Sequence, residues 1–411
     1  MTEYFNQGGI EYNQLLKQGN LHYKIRLELL ADTEIVIGEI TKDIAIDADG
    51  QININYQQLT RRSCSLTLMN VDGKYTPSQN SWFWYDRKFK LWLGVVDRQD
   101  NVYWFSQGVY YTLSATGDSY VLNIEGIDKG GALDGTLKTN MIDGQFVVEA
   151  GNNIKSLIED TLILEVDGQQ IDSKKPIVDI EFSRVTTGEN ISINENEYLG
   201  DLYTDLGDSY GADVYYDIEG RLNFTQLCDG NRVDGYRYMA SQYDFFDTDP
   251  HYRMSEVNYN FEGVNAVTVY TNISATDSNG NSIQNVSYTS YNNNPLSPLR
   301  TSAVKVRRLE PQQIAYVDIA EELMLKRCKE YADYLLLRNA LQDMSISFSA
   351  TIIPHIDVNR TVTITDKAKG FDSTLFVVQS VTIPLSAGEM NIQATQANWL
   401  PSDTNIEGSV I

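Results

Sequence analysis

Two stretches of this 411-residue chain spell out the same succession of β-strands, which confines it to a duplicated β architecture. Near the front come SCSLTLMN (63–70), RKFKLWLGVV (87–96), VYWFSQGVYYTLSA (102–115) and SYVLNIEGID (119–128). Near the end come DMSISFSATI (343–352), NRTVTITD (359–366), STLFVVQSVTIPLS (373–386) and EMNIQATQ (389–396). Apolar residues recur at alternate positions, the pattern of strands with one buried face. In both runs a polar turn follows the second strand. The third carries a glutamine, Gln107 or Gln379, beside a valine stretch, and the fourth returns after a short glycine-containing hairpin. One sheet-built barrel made twice, around a long insertion, is the expected plan. Three such chains would supply six equivalent walls.

A chain of this length suits two to four domains. Residues 1–20 are polar and read as an arm, and 21–135 as the first barrel, with HYKIRLELL, EIVIGEI and DIAIDAD leading in. Within it Asp72-Gly73 makes a tight reversal before Pro77. An α+β domain is expected over 136–250. Its first helix, 152–164, buries Ile154, Leu157, Ile158 and Leu162 and is capped by Asn152 or Asn153. Its second, 197–210, buries Leu199, Leu202, Leu206 and Tyr210, with Asn194 and Glu197 as a weak capping arrangement and Gly211 at the exit. A hairpin turned by Gly220 follows. Residues 251–272 and 340–398 read as the second barrel. The Ser-, Asn- and Gly-rich 273–311 is expected to be a flexible insertion. Pro311 should open the longest helix, 312–339, with Val317, Ala320, Met324, Cys328, Tyr331 and Leu335 inward and a Glu322–Lys326 pair on the wet face. Residues 399–411 form a peripheral tail.

Acidic residues outnumber basic ones 56 to 32, a formal charge of −24, so there is no basic footprint for reading nucleic acid. Such a surface either keeps the protein soluble or lets a polyanion pass without sticking. Cys64, Cys228 and Cys328 are far apart without metal spacing and suggest a reducing compartment. The N-terminus lacks a signal-peptide pattern, no window resembles a membrane span, and the sequons at Asn272 and Asn285 are then chance.

No catalytic, cofactor-binding or metal site emerges. His22, His251 and His355 form no zinc or protease motif. Asp247, Asp249 and His251 alternate in DTDPH, and could hold a divalent ion or be an acidic loop. DADG (47–50) begins like a calcium loop, but the later ligands are missing. Gly207, Gly211 and Gly220 make no phosphate-binding fingerprint. The acid pairs Glu159-Asp160 and Glu321-Glu322 are ordinary helix faces, and there is no nucleophile elbow. The aromatics of WFWYDRKFK (82–90) suit a barrel edge or subunit contact, or stacking on carbohydrate.

The run NVDGKYTPS, RKFKLWLGVV, VYWFSQGVYYTL resembles the first barrel of baseplate hub proteins of tailed bacteriophages. EYLGDLYTDLGDSYGADVYYDIEGRLNF resembles the helix-then-hairpin element of the same hubs. EELMLKRCKEYADYLLLRN with IDVNRTVTITD and STLFVVQSVTIPL is similar to their helix and second barrel. Together these span about residues 20–398. The resemblance implies a mainly β fold with α+β insertions: two tube-type β-barrel domains, a small α+β domain and a long helix. It implies a homotrimer in the virion tail, assembled in the host cytoplasm, that adapts a sixfold tail tube to a threefold spike or fibre. Implied partners are a tail tube or distal tail protein on one face and a spike, fibre or tail lysin on the other, with genomic DNA passing unbound. It implies no catalytic residue, cofactor or metal, and any puncturing or lytic activity would belong to another polypeptide. Two other functions stand beside it: a receptor- or carbohydrate-binding tail protein using 82–90 and 273–299, and a cell-wall hydrolase. An acidic pore would follow if the excess acids face the channel.

Overall fold

The computed structural model describes residues 14–17, 21–44, 50–56, 59–78, 81–84, 87–118, 120–138, 146–149, 151–166, 169–180, 182, 186–187, 190–193, 197–210, 212–226, 241–259, 263–272, 285–293, 299–314, 321–340, 344–386, 388–396 and 409–410. The protein is mainly β, and thirteen of its strands join in one sheet. In chain order these are β1 (His22–Leu30), β2 (Val36–Ile40), β3 (Gln51–Asn55), β4 (Arg62–Met69), β5 (Lys88–Val96), β6 (Val102–Gly117) and β7 (Val121–Asp128). The second set comprises β8 (Asp244–Phe246), β9 (Arg253–Tyr259), β10 (Met344–Ala350), β11 (Thr361–Asp366), β12 (Phe371–Pro384) and β13 (Met390–Gln396). The order across the sheet is β9-β10-β13-β12-β3-β4-β7-β6-β5-β1-β2, with β11 also on β12 and β8 on β11.

The repeated strand pattern is a repeated topology. β4 pairs with β7, β7 with β6 and β6 with β5, all antiparallel. β10 pairs with β13, β13 with β12 and β12 with β11 in the same sense. β3 flanks β4 as β9 flanks β10. Even a bulge repeats: the β6–β7 register slips between Thr112 and Ser114, the β12–β13 register between Val378 and Ser380. That bulge makes Leu113, not Gln107, the counterpart of Gln379. Gln107 instead sits where β6 bulges against β5, and its amide donates to the Pro354 carbonyl at 3.0 Å. The two glutamines that linked the strand runs in sequence are therefore not equivalent in space. The copies also diverge beyond the fourth strand, where β1 joins β5 antiparallel but β8 joins β11 parallel.

The first barrel closes where Ile44 bridges to Leu68 and the Met69 amide donates to the Asp43 carbonyl at 2.6 Å. The two barrels share one hydrophobic core. Leu66 and Ile124 of the first, Phe348 and Ile392 of the second, and Ile52 and Ile383 at the β3–β12 junction all belong to a single buried cluster. The alternation in the sequence produces this directly, because every second side chain of a strand shares a face.

A second core lies under α1 (Ile154–Leu162) and α2 (Leu199–Tyr210). Asn153 caps α1 by accepting from the Ser156 amide at 3.1 Å. The α2 stripe Leu199, Leu202, Leu206 and Tyr210 is buried as expected, with Tyr203 added. The hairpin Ala212–Tyr216/Leu222–Gln226 turns at Gly220, whose φ of 70° suits glycine. Asn194 and Gly211 lie outside the described residues.

Several expected domain bounds shift: Leu15 and Leu16 of the arm belong to the shared core, Asp244–Phe246 of the α+β domain joins the second barrel's sheet, and Ser409–Val410 of the tail pairs with Tyr288–Thr289. Three further expectations need correcting. The long helix α3 is described from Glu321 to Ala340, and residues 312–314, expected to be its first turn, are not helical. Gln312–Gln313 instead runs parallel to Val269–Tyr270, where the neighbouring Ile314 is buried. Met324, Cys328, Tyr331 and Leu335 face the core as the helical spacing requires, whereas Val317, Ala320 and the Glu322 side chain lie outside the described residues. Lys326 pairs with Glu330 at 3.6 Å. Second, residues 266–270, expected in the second barrel, belong to a separate four-stranded sheet packed on α3. Third, the stretch expected to be loop contains a strand of that sheet, Ser287–Tyr291. Tyr and Thr favour strands, and the Thr268 and Thr289 hydroxyls meet at 2.8 Å across the pair, so local polarity is outweighed by cross-strand fit.

Candidate functional site

The side of the sheet opposite the shared core is a continuous polar surface that crosses from one barrel into the other. Cross-strand register aligns Ser345, Ser347 and Ser349 of β10 with Thr395, Gln393 and Asn391 of β13. Next come Ser380 and Thr382 of β12 against Asn55 and Asn53 of β3, then Ser63 and Ser65 of β4 against Asn53 and Gln51. Thr67 faces Asn123 of β7, which in turn faces Thr116 of β6. Most of these side chains are exposed or half-buried, while their strand neighbours Ile52, Cys64, Ile124, Ile346, Ile392 and Val381 are core.

Its chemistry is uniform. Short hydroxyl and amide side chains satisfy one another: Thr382 Oγ1 donates to Asn53 Oδ1 at 3.1 Å, and Thr67 Oγ1 to Asn123 Oδ1 at 2.9 Å. Charges on it are few: Glu125 of β7, set between Ser65 of β4 and Ser114 of β6, and Arg253 and Glu256 of β9 at its far edge. On a protein with 56 acidic residues, so sparsely charged a face over seven strands is a marked segregation. If this face borders a channel, the acidic pore expected from the net charge is replaced by a neutral polar wall. Such a wall gives a polyanion neither ion pairs to stick to nor strong repulsion to cross.

A buried ionic seam holds the helical unit against this sheet. Lys129, just after β7, puts its ammonium 2.6 Å from both Glu34 Oε1 and Asp172 Oδ1, and donates to the Gly220 carbonyl at 2.9 Å. Lys88 and Lys174 reach the same Glu34 at 3.2 and 2.7 Å. Burial raises the Glu34 carboxyl, but Lys129 and Lys88 outweigh it and hold the group down at about 2. Consecutive residues at the start of β4 tie all three parts together. Arg61 pairs with Asp213 of the hairpin, and Arg62 with Asp357 of the second barrel at 2.6 Å and with the Tyr216 carbonyl at 3.1 Å. Asn359 donates to Asp213 at 2.9 Å. Asp128 accepts from the Arg61 and Arg62 amides, yet burial dominates and lifts its carboxyl to about 6. These groups neutralise one another, and removing one would leave another buried and unpaired.

The residues weighed for chemistry in the sequence do not converge. His251 Nδ1 lies 3.2 Å from Glu389 Oε1, while Asp249 accepts from the Phe246 amide at 2.8 Å and so closes its own turn. Buried His355 is bonded to the Gln242 carbonyl at 3.0 Å, and burial lowers its imidazole to about 4. His22 starts β1. No group of three or more His, Cys, Asp or Glu able to hold a metal occurs among the described residues. Cys64 and Cys328 are buried and free; Cys228 and all of DADG but Gly50 lie outside the described residues. Of the 82–90 aromatics, Phe83 and Phe89 are core, Trp82 packs on Tyr75 at 6.3 Å between ring centres, and Trp84 is exposed. No described helix is long and apolar enough to cross a membrane.

The fold is similar to that of two solved tail proteins. A tail protein from Neisseria meningitidis MC58 is similar at a TM-score of 0.57 and 13% identity, over 93% of this chain and 99% of that one. The 43 kDa tail protein of prophage MuSo2 from Shewanella oneidensis is similar at 0.54 and 14%, over 94% and 100%. A PdpA–VgrG complex in its lidless form is similar at 0.50 and 8%, over 93% of this chain and 66% of that one. No protein-family model matches the chain, and no curated protein matches it.

Proposed function

We propose that this chain is a non-enzymatic structural subunit of a phage tail. It acts as a homotrimeric baseplate hub at the distal end, adapting a sixfold tail tube to a threefold spike or fibre and lining the channel through which DNA leaves. The polar, sparsely charged face that runs across both barrels carries this reading. A protein that merely needed solubility would scatter its charges over such a face, and one that bound nucleic acid would place cations there. Duplication gives each chain two equivalent walls, so three chains present six to the tube while keeping threefold differences for a spike. The α+β unit of α1, α2 and the 212–226 hairpin sits outside the wall, held by the Lys129–Glu34–Asp172 seam. Tail tube or distal tail protein meets one face; spike, fibre or lysin meets the other.

Electron microscopy of the purified protein, with native mass spectrometry, tests the reading. A three-chain annulus with a central opening is the expected result. A monomer at micromolar concentration, or a trimer with the polar face turned outward, would refute it.

A further inference from the structure

The wall has two open edges, and the internal duplication specifies how they meet. Among the described residues β9 is paired only with β10, and β6 beyond Thr112 is paired only with β7. Within the chain, the edges corresponding to these two are already joined. β6 corresponds to β12 and β9 to β3, and β12 pairs with β3 at the junction between barrels. We infer, building on the trimeric reading above, that the last turn-proximal residues of β6 pair antiparallel with β9 of a second copy, completing the channel wall between subunits.

The register follows from the repeat. The shared bulge equates Ser114, Ala115, Thr116 and Gly117 with Ser380, Val381, Thr382 and Ile383. Ser65 and Ser347 hold equivalent places opposite Glu125 and Gln393, which equates Gln51, Ile52, Asn53 and Ile54 with Glu256, Val257, Asn258 and Tyr259. Inside the chain Val381 faces Ile54, Thr382 faces Asn53 and Ile383 faces Ile52. Between copies, therefore, Ala115 faces the partner's Tyr259, Thr116 the partner's Asn258, and Gly117 the partner's Val257.

Three observations support this register. Thr116 against the partner's Asn258 repeats the residue pair Thr382–Asn53, whose side chains hydrogen-bond at 3.1 Å. Ile54, inside the existing junction, is 3% exposed, whereas its counterpart Tyr259 is 63% exposed, an aromatic side chain on an unpaired edge. Asp118, next along β6, is already folded into the hairpin, its carboxylate accepting from the Tyr120 and Val121 amides at 2.7 and 2.9 Å. The ladder therefore ends at Gly117 and keeps Asp118 from opposing Glu256. Such a contact is heterologous, so each chain offers β6 to one neighbour and β9 to the other, and three chains close the wall with neither of these two edges left open.

Opposite residues in an antiparallel pair lie about 4.5–5.5 Å apart at Cα, inside the range of about 4.4–6.8 Å that a disulfide spans. The double variant Thr116→Cys/Asn258→Cys, mildly oxidised, should run on a non-reducing gel as covalent dimer and trimer. Either single variant should stay monomeric, and the two singles co-expressed should give dimer only. Native mass spectrometry of the unaltered protein separates the two ideas. A trimer whose double variant does not cross-link overturns the edge pairing and leaves the trimer standing; a monomer overturns both. Cross-linking by Thr116→Cys alone would mean a face-to-face contact and also overturns it. Hydrogen exchange on the unaltered protein needs no variant: amides of 114–117 and 255–259 should be protected in the assembled state and lose protection on dilution to monomer. Equal exchange in both states overturns the inference.

Discussion

Glu34 offers the sharpest energetic test, because one carboxylate faces three ammonium groups. Its oxygens lie 2.6, 3.2 and 2.7 Å from Lys129, Lys88 and Lys174, and its side chain is 1% exposed. Burial raises the carboxyl and the lysines lower it by more, from an ordinary 4.5 to about 2. That difference corresponds to about 3 kcal/mol of folding free energy. Since the folded group is the stronger acid, this stability is complete above the unfolded value and is lost as the pH falls toward 2. Glu34→Gln should therefore unfold in urea with about 3 kcal/mol less stability at pH 7, and with roughly half that deficit at pH 3. The measurement is a pair of urea titrations followed by tryptophan fluorescence at each pH. A deficit under about 1 kcal/mol at pH 7, the value of an exposed pair, refutes the seam as an energetic element. A deficit that does not change with pH refutes the charge argument. Adding Lys129→Met completes a double-mutant cycle whose coupling should carry most of the effect.

Four further outcomes follow from other parts of the molecule. Asn53→Lys with Gln393→Lys places two cations on the neutral face and should make the protein retard DNA in a gel shift at low salt, an effect lost as salt rises; no retardation would argue that this face is not accessible to a polyanion. Ile392→Ala, in the core shared by both barrels, should cost about 2–5 kcal/mol in urea unfolding. Gly220→Ala sets a side chain 2.9 Å from Val109 Cβ at a φ of 70° and should lower the melting temperature, by strain of about 1–3 kcal/mol. Asn153→Ala removes the α1 cap and should cost about 1 kcal/mol in the same assay.

Much of the local structure was legible because it depends on spacing alone. The stripe of α2, the cap at Asn153, the turn at Gly220 and the alternation of β4 to β7 and β10 to β13 all appear where the residues predict them. The register of the repeat was not legible: Gln107 and Gln379 looked like a matched pair, but the shared bulge aligns Gln379 with Leu113, while Gln107 sits at a separate bulge against β5. The start of the long helix failed for a related reason. Pro311 is a good opening residue, but Gln312–Gln313 found a strand edge at Val269–Tyr270, a partner more than forty positions away that no local window contains.

The sequence by itself determined that the chain is a doubled set of half-buried strands, since a period of two assigns each side chain to a face without reference to any other strand. It also contained the polar halves of those strands, the Asn, Ser, Thr and Gln of QININ, SCSLT, MSISFSA and MNIQATQ. Only the tertiary structure decided that these halves lie on one side of one sheet. The β3–β12 pairing, between residues 51–55 and 380–384, sets both barrels in a common register and turns scattered polar positions into a single neutral surface. It likewise decided that Lys129, Glu34 and Asp172 meet, because a buried charge finds its partners through chain topology and not through sequence distance.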